Sequence, residues 1–178
     1  MDTNQTLGVC MRTKATMAIT AVMTLLLGWQ HLHGGVPSHH VLADPGLPVI
    51  SNWWGLLTLP VLTWFLLGRI ERRRRAKPRA AHGDFAAFTG ALVFGALLSL
   101  LFTAGQTTGT ETMVQALLFL ALFYPIHRAA CALGFVIGMT WTFGAVLPMI
   151  AACVFGTVGA AIFYGARFVY ARAMVLRR

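Results

Sequence analysis

Met113-Val-Gln-Ala-Leu-Leu-Phe-Leu-Ala-Leu-Phe-Tyr124-Pro125-Ile-His127-Arg128-Ala-Ala-Cys131-Ala-Leu-Gly134-Phe-Val-Ile-Gly138 opens an apolar run that continues to Phe168. Only His127-Arg128 interrupts it before the terminal arginines begin at Arg167. A membrane-spanning helix needs about 20 apolar residues, so this stretch holds two or three crossings. Charge decides between them. Basic residues gather on the cytoplasmic side of a membrane protein. If Glu111 lies outside, and Arg128 and the terminal arginines inside, one span precedes Arg128 and two follow it.

Working outward, three more apolar runs come earlier in the chain. The expected fold is all-α, a polytopic transmembrane helical bundle in one integral membrane domain over residues 1–178. Its six spans fall roughly at 14–30, 52–68, 85–104, 112–127, 130–147 and 149–170, with both termini cytoplasmic. In that arrangement all 14 Lys and Arg residues face the cytoplasm. The last hairpin lacks a polar turn near Ala145-Val-Leu-Pro148, so a re-entrant segment within 130–170 is the alternative to two full spans.

Composition agrees with a lipid solvent. Hydrophobic residues make up 57% of the 178-residue chain and charged residues 11%, against about a quarter charged in soluble domains. The net charge of +9 does not point to nucleic acid, because no aromatic or groove-reading element accompanies the basic residues. They lie in four clusters beside apolar runs: Arg12 and Lys14, Arg69 to Arg79, Arg128, and Arg167 to Arg178. The loop 69–84, with Arg72-Arg73-Arg74-Arg75-Ala-Lys77-Pro-Arg79, is expected to hold topology and to meet anionic lipid head groups, at about 1 kcal/mol per basic residue.

Local signals set the ends of the runs. The first, Ala15 to Gln30, follows Arg12 and Lys14 and lacks a small-x-small cleavage site, so it reads as an uncleaved span. The second starts at Ser51 or Asn52, either able to cap it. It presents Trp53-Trp54 at the interface and meets Pro60, expected to kink it. Asp84 reads as the N-cap of the third, whose Gly90, Ala91, Gly95, Ala96 and Ser99 suit close helix packing. Gly134 and Gly138 form a GxxxG pair, expected to lie against another helix, and Pro148 suits a helix start.

The candidate chemistry centres on His31-Leu-His33-Gly-Gly-Val-Pro-Ser-His39-His40, in the expected non-cytoplasmic loop 31–51. Neutral imidazole is a common metal ligand. An HxH pair in extended backbone points both rings one way, whereas in a helix they diverge by about 200°. Gly34, Gly35 and Pro37 let the segment fold back. His31, His33, His39 and His40 are therefore the candidate ligands of Zn or Cu. Asp44 and Glu111, expected on the same side, are candidates for a ligand, an orienting group or a catalytic base. Each also has a plainer reading, Asp44 as a turn residue and Glu111 as a first-turn acid. In the alternative to a metal site, the histidines are interfacial groups that seat a loop.

Other features narrow the chemistry. His127-Arg128 is expected at a cytoplasmic helix end, with Arg128 reaching the interface and His127 bonding a carbonyl freed below Pro125. Gln30, Asn52, Gln106 and Gln115, with Ser38, Ser51 and Thr110, are candidates for a polar vestibule at the outer ends. Cys10, Cys131 and Cys153 contain no CxxC and read as small hydrophobes. There is no nucleophile elbow, P-loop or dinucleotide fingerprint. No lysine stands inside a span, Lys14 lying at the edge of the first, which excludes a retinal Schiff base.

The sequence thus points to a metal-binding protein of a bacterial inner membrane, its site on the non-cytoplasmic face. The expected activity is that of a small metal-dependent enzyme on a lipid or membrane-soluble substrate. The rival reading is a small transporter, or a non-catalytic subunit with membrane-protein partners, whose histidines are structural.

Overall fold

The computed structural model describes residues 3–40, 46, 48–78 and 80–176. The described residues form six α-helices: α1 (Thr3–Leu32), α2 (Gly55–Ala76), α3 (Ala80–Thr103), α4 (Thr107–Leu120), α5 (Ala129–Phe143) and α6 (Val146–Leu176). A short antiparallel ribbon, β1 (Ser38–His40) with β2 (Val49–Ser51), links α1 to a 3-10 turn at Asn52–Trp54. Leu7–Leu32, Asn52–Ala76, His82–Thr103 and Val146–Met174 are long and apolar enough to cross a membrane. This is a helical membrane protein.

The two remaining helices are short for physical reasons. α4 has 14 residues; at 1.5 Å per residue it covers roughly 21 Å, less than the roughly 30 Å hydrocarbon core. It stops at Leu120 rather than reaching His127. Pro125 has no N–H to give and disfavours helix at the residue before it. The chain there is a series of turns, closed by Tyr124 N–H to Leu120 O at 2.8 Å and Ile126 N–H to Tyr124 O at 2.8 Å. α5 has 15 residues and ends at Gly144, whose φ of 69° suits glycine and whose N–H reaches Thr140 O at 3.0 Å. Pro148 lies fully buried in the first turn of α6.

α5 is the axis of the bundle. Ala130, Cys131, Leu133, Gly134, Phe135, Val136, Met139 and Thr140 are all buried. Its closest neighbour is α3, and glycine is the reason. A Cβ on Gly134 would strike the Phe88 carbonyl and lie 3.0 Å from Leu92 N. One on Gly138 would strike the Leu92 carbonyl and lie 3.0 Å from Ala96 N. In return, a Cβ on Gly95 of α3 would come within 2.7 Å of the Phe135 carbonyl. The two backbones touch, as the GxxxG spacing predicts. Met23, Leu27, Leu59, Val136 and Ala145 fill the space where α1, α2 and α5 meet at one end, and Leu66, Ile70, Ala87, Cys131 and Leu133 pack α2, α3 and α5 together toward the other.

α1 and α2 run antiparallel while α3 and α5 run parallel, and each end of the bundle has its own chemistry. One end gathers the ribbon with exposed Trp29, Trp53, Trp54 and Trp141, the rings of Trp29 and Trp141 lying 5.8 Å apart. The other gathers the arginines. There the Arg12 guanidinium lies 3.8 Å over the Trp64 ring and against Gly68.

Two expectations at the basic end are corrected. The basic block is not a loop. α2 runs through Pro60 and carries Arg69 to Arg75 in helix as far as Ala76. Arginine is a good helix former, Glu71 and Arg75 pair one turn apart at 2.5 Å, and Pro78 ends the helix. Nor is Asp84 an N-cap. α3 begins at Ala80, and Asp84 stands in its second turn, 2% exposed, 3.2 Å from Arg73 and 3.9 Å from Arg74. Its carboxylate ties the last turn of α2 to α3.

Candidate functional site

The histidine segment does not adopt the expected extended HxH. α1 continues through Leu32 because the helix breakers act only at Gly34 and Gly35, with φ of 120° and 95°. His31 is therefore in the last helical turn and His33 just past it. His33 stacks on Trp29, one turn earlier, with centroids 4.6 Å apart, and its Nδ1 lies 2.9 Å from the Trp29 carbonyl oxygen. His31 faces the other way, edge-on to Trp53 at 6.1 Å. His39 and His40 occupy β1, opposite Ile50 and Val49. Asp44 lies outside the described residues. Glu111 is exposed in the second turn of α4 rather than the first, since that helix starts at Thr107. Among the described residues, no three His, Cys, Asp or Glu side chains gather into a metal-binding group.

The expected vestibule also divides. Gln30 and Asn52 are buried, with Asn52 against Gly144, while Gln106 and Gln115 are exposed. Ser51 does cap, accepting the Trp53 N–H at 3.4 Å. Of the three cysteines, Cys131 is buried, whereas Cys10 and Cys153 are exposed.

A concave feature lies elsewhere, between α3, α4, α5 and α6. It is an apolar cavity of about 420 Å³. Its cause is the close α3–α5 contact. Phe88, Leu92 and Ala96 of α3 face α5, and the adjacent stripe, Ala86, Gly90, Ala91 and Phe94, is left to meet α4 and α6. The opposing residues of α6 are again small, Ala152 and Gly156, and a Cβ on Gly90 or Gly156 would meet nothing within 4 Å. α4 contributes Leu117 and Leu120 as a wall but buries no residue of its own.

The two ends of this cavity differ. Phe94, Phe135 and Phe155 close one, with successive ring centroids 6.3 and 6.2 Å apart. Tyr124 and His127, in the turns between α4 and α5, stand at the other. His127 does not bond a carbonyl below Pro125, as the sequence led us to expect. Its Nε2 lies 3.3 Å from the Tyr164 hydroxyl of α6, and its Nδ1 is buried without a hydrogen-bond partner. Burial, with Arg128 and then Arg73 adding to it, lowers the His127 pKa from its ordinary value. Arg128 is half-buried, its guanidinium carbon 5.1 Å from the Tyr124 ring centre. Its side chain does not cap α5, and among the described residues it forms no ion pair.

Such an arrangement can hold an apolar molecule and position a polar group at one end of it. Sequence reasoning missed the cavity because it read the small residues of α3 only as packing residues. The usable signal was their number: Ala86, Ala87, Gly90, Ala91, Gly95 and Ala96 are more than one helix contact needs. No known protein family matches the chain, and no curated protein and no solved structure matches it either.

Proposed function

We propose that the protein is a six-span protein of a bacterial inner membrane that binds a membrane-soluble apolar molecule in the cavity between α3, α4, α5 and α6. The observation that carries this reading is the cavity itself, apolar along its walls, with polar side chains at one end only. Ligand sites are mostly apolar, with a few placed polar groups that orient the ligand. A photoreactive hydrocarbon partitioned into vesicles tests the reading: adducts should concentrate on the cavity walls.

In this proposal α4 and α5 complete the six crossings, short because α5 is enclosed by protein and α4 packs beside it. The basic end faces the cytoplasm and meets anionic head groups through the arginines of α2, and Trp29, Trp53, Trp54 and Trp141 mark the opposite interface. A reporter fused after Arg178 should then read as cytoplasmic. A reporter on the far side would remove the orientation.

A metal at the histidine end is the second reading, and one observation favours it. The bond from His33 Nδ1 to the Trp29 carbonyl leaves Nε2 as the free ring acceptor, the usual arrangement in a ligating histidine. Elemental analysis of the purified protein decides it. About one equivalent of Zn or Cu, released by His33→Ala with His39→Ala, would install a mononuclear site. We expect none, with the segment serving as a structural cap in which His33 covers Trp29 and β1–β2 closes the connection to α2.

A further inference from the structure

We propose that the cavity takes a single-chain anionic amphiphile, its hydrocarbon chain lying between α3 and α6 and its anionic head held by Arg128 and His127. This rests on the cavity being a ligand site and names the class of ligand.

The polarity of the cavity sets the orientation. The ring of Phe94, Phe135 and Phe155 offers a chain end no hydrogen-bonding group. The opposite end offers His127 itself, with Arg128 beside it, against the cavity wall rather than in it. Arg128 sits over Tyr124, a wall residue, and has no carboxylate partner among the described residues. Arg73, the other guanidinium acting on His127, is already taken by Asp84. His127 supplies the second group. When the Tyr164 hydroxyl donates to Nε2, the proton of the neutral ring sits on Nδ1, the atom that is buried without a partner. A buried donor left unmade is costly. A carboxylate or phosphate head at this end meets the guanidinium in a charge-assisted bond, and a turn of the imidazole would bring its Nδ1–H to the same head.

Dimensions agree with one chain. A volume of about 420 Å³ lies toward the lower end of small-molecule sites, which run roughly 300–1,000 Å³. From Ala86 to Phe94 the wall rises about 12 Å, close to half of the roughly 30 Å core. A chain of that length, headed at the basic end, lies at the depth of one leaflet.

The test uses the full chain in nanodiscs of zwitterionic lipid, with a fluorescent dansyl-undecanoate as probe. Dodecanoate, monododecyl phosphate and dodecanol compete against it. Inorganic phosphate and acetate report whether a head group binds without its chain. Dodecanoate and monododecyl phosphate should displace the probe about tenfold better than dodecanol, the effect of one charge-assisted bond. Arg128→Gln should remove that difference by weakening dodecanoate and monododecyl phosphate, and a melting temperature near that of the parent shows that the variant is folded. Arg128→Lys should keep part of the preference, and Gly90→Leu should weaken all three chains together. Equal displacement by dodecanol and dodecanoate in the parent overturns the head-group assignment while leaving the cavity reading intact. A preference that survives in Arg128→Gln also overturns it, as does displacement by acetate or phosphate alone. If no chain binds and the protein runs as a dimer, a second copy fills the cavity, and both readings fall.

Discussion

Gly138→Leu should unfold the bundle at a markedly lower temperature, a loss of about 3 kcal/mol or more, at the upper end of what overpacking costs. Overpacking is tolerable where a neighbouring side chain can turn away. Here the neighbours are backbone, the Leu92 carbonyl and the Ala96 nitrogen, so the relief is to move α3 off α5. That movement would also loosen Gly134 and Gly95, which share the contact. Even Gly138→Ala places its Cβ against the Leu92 carbonyl and should be visibly destabilised. Gly90→Leu on the adjacent stripe of α3 meets nothing within 4 Å of its Cβ and should melt near the parent. Thermal unfolding in detergent reads all three. Equal melting of Gly138→Leu and Gly90→Leu would mean that α3 and α5 are not in backbone contact.

Asp84→Ala should give the second large loss, about 1–3 kcal/mol. Breaking a fully buried ion pair costs about 3–5 kcal/mol because a charge is stranded. Asp84 is 2% exposed, but the side chains of Arg73 and Arg74 are 35% and 45% exposed and can turn toward water. The smaller figure follows. Asp84→Asn keeps the shape and loses the charge, so it should recover little. A double-mutant cycle with Arg73→Ala should show positive coupling. Additive effects would mean that the pair does not join α2 to α3.

Much of the fold was legible in the chain. Each apolar segment holds a helix, α2 even through Pro60, because a single segment in lipid has no other way to satisfy its backbone. The GxxxG pair meets a helix, since two glycines four residues apart leave a groove that another backbone can enter. Less legible were the places where two local signals compete. Charge marked Arg72 to Arg75 as loop, but their helix propensity and the stop at Pro78 carried α2 through them. Adjacency to Phe85 marked Asp84 as a cap, but the same Pro78 let α3 begin earlier and turned Asp84 toward the arginines. At the histidine segment, Gly34, Gly35 and Pro37 were expected to let the chain fold back and bring the rings together. The break does fall after His33, but α1 still holds His31 and Trp29 holds His33, so the two rings point apart.

The surplus of small residues in α3 hinted at a space, but the place of the cavity was not legible. It exists because α3 pairs with α5 rather than with α4, its neighbour in sequence, and no local pattern states which nonadjacent helices touch. The stripe Ala86, Gly90, Ala91 and Phe94 looks the same on paper as the stripe beside it. Only the pairing makes one a contact and the other a wall. The partnerless Nδ1 of His127 likewise depends on α6 bringing Tyr164 across from the far end of the chain.

Photolabelling with a diazirine-bearing hydrocarbon in vesicles tests the central claim most directly, because it reads occupancy residue by residue. The cavity account predicts adducts concentrated on Ala86 to Phe94, Leu117, Leu120 and Ala152 to Gly156, saturating as the probe is raised. They should be suppressed in the doubly filled variant Gly90→Leu with Gly156→Leu. Adducts spread evenly over the exposed faces of α1, α2 and α6, rising in proportion to probe and unchanged in that variant, would contradict it.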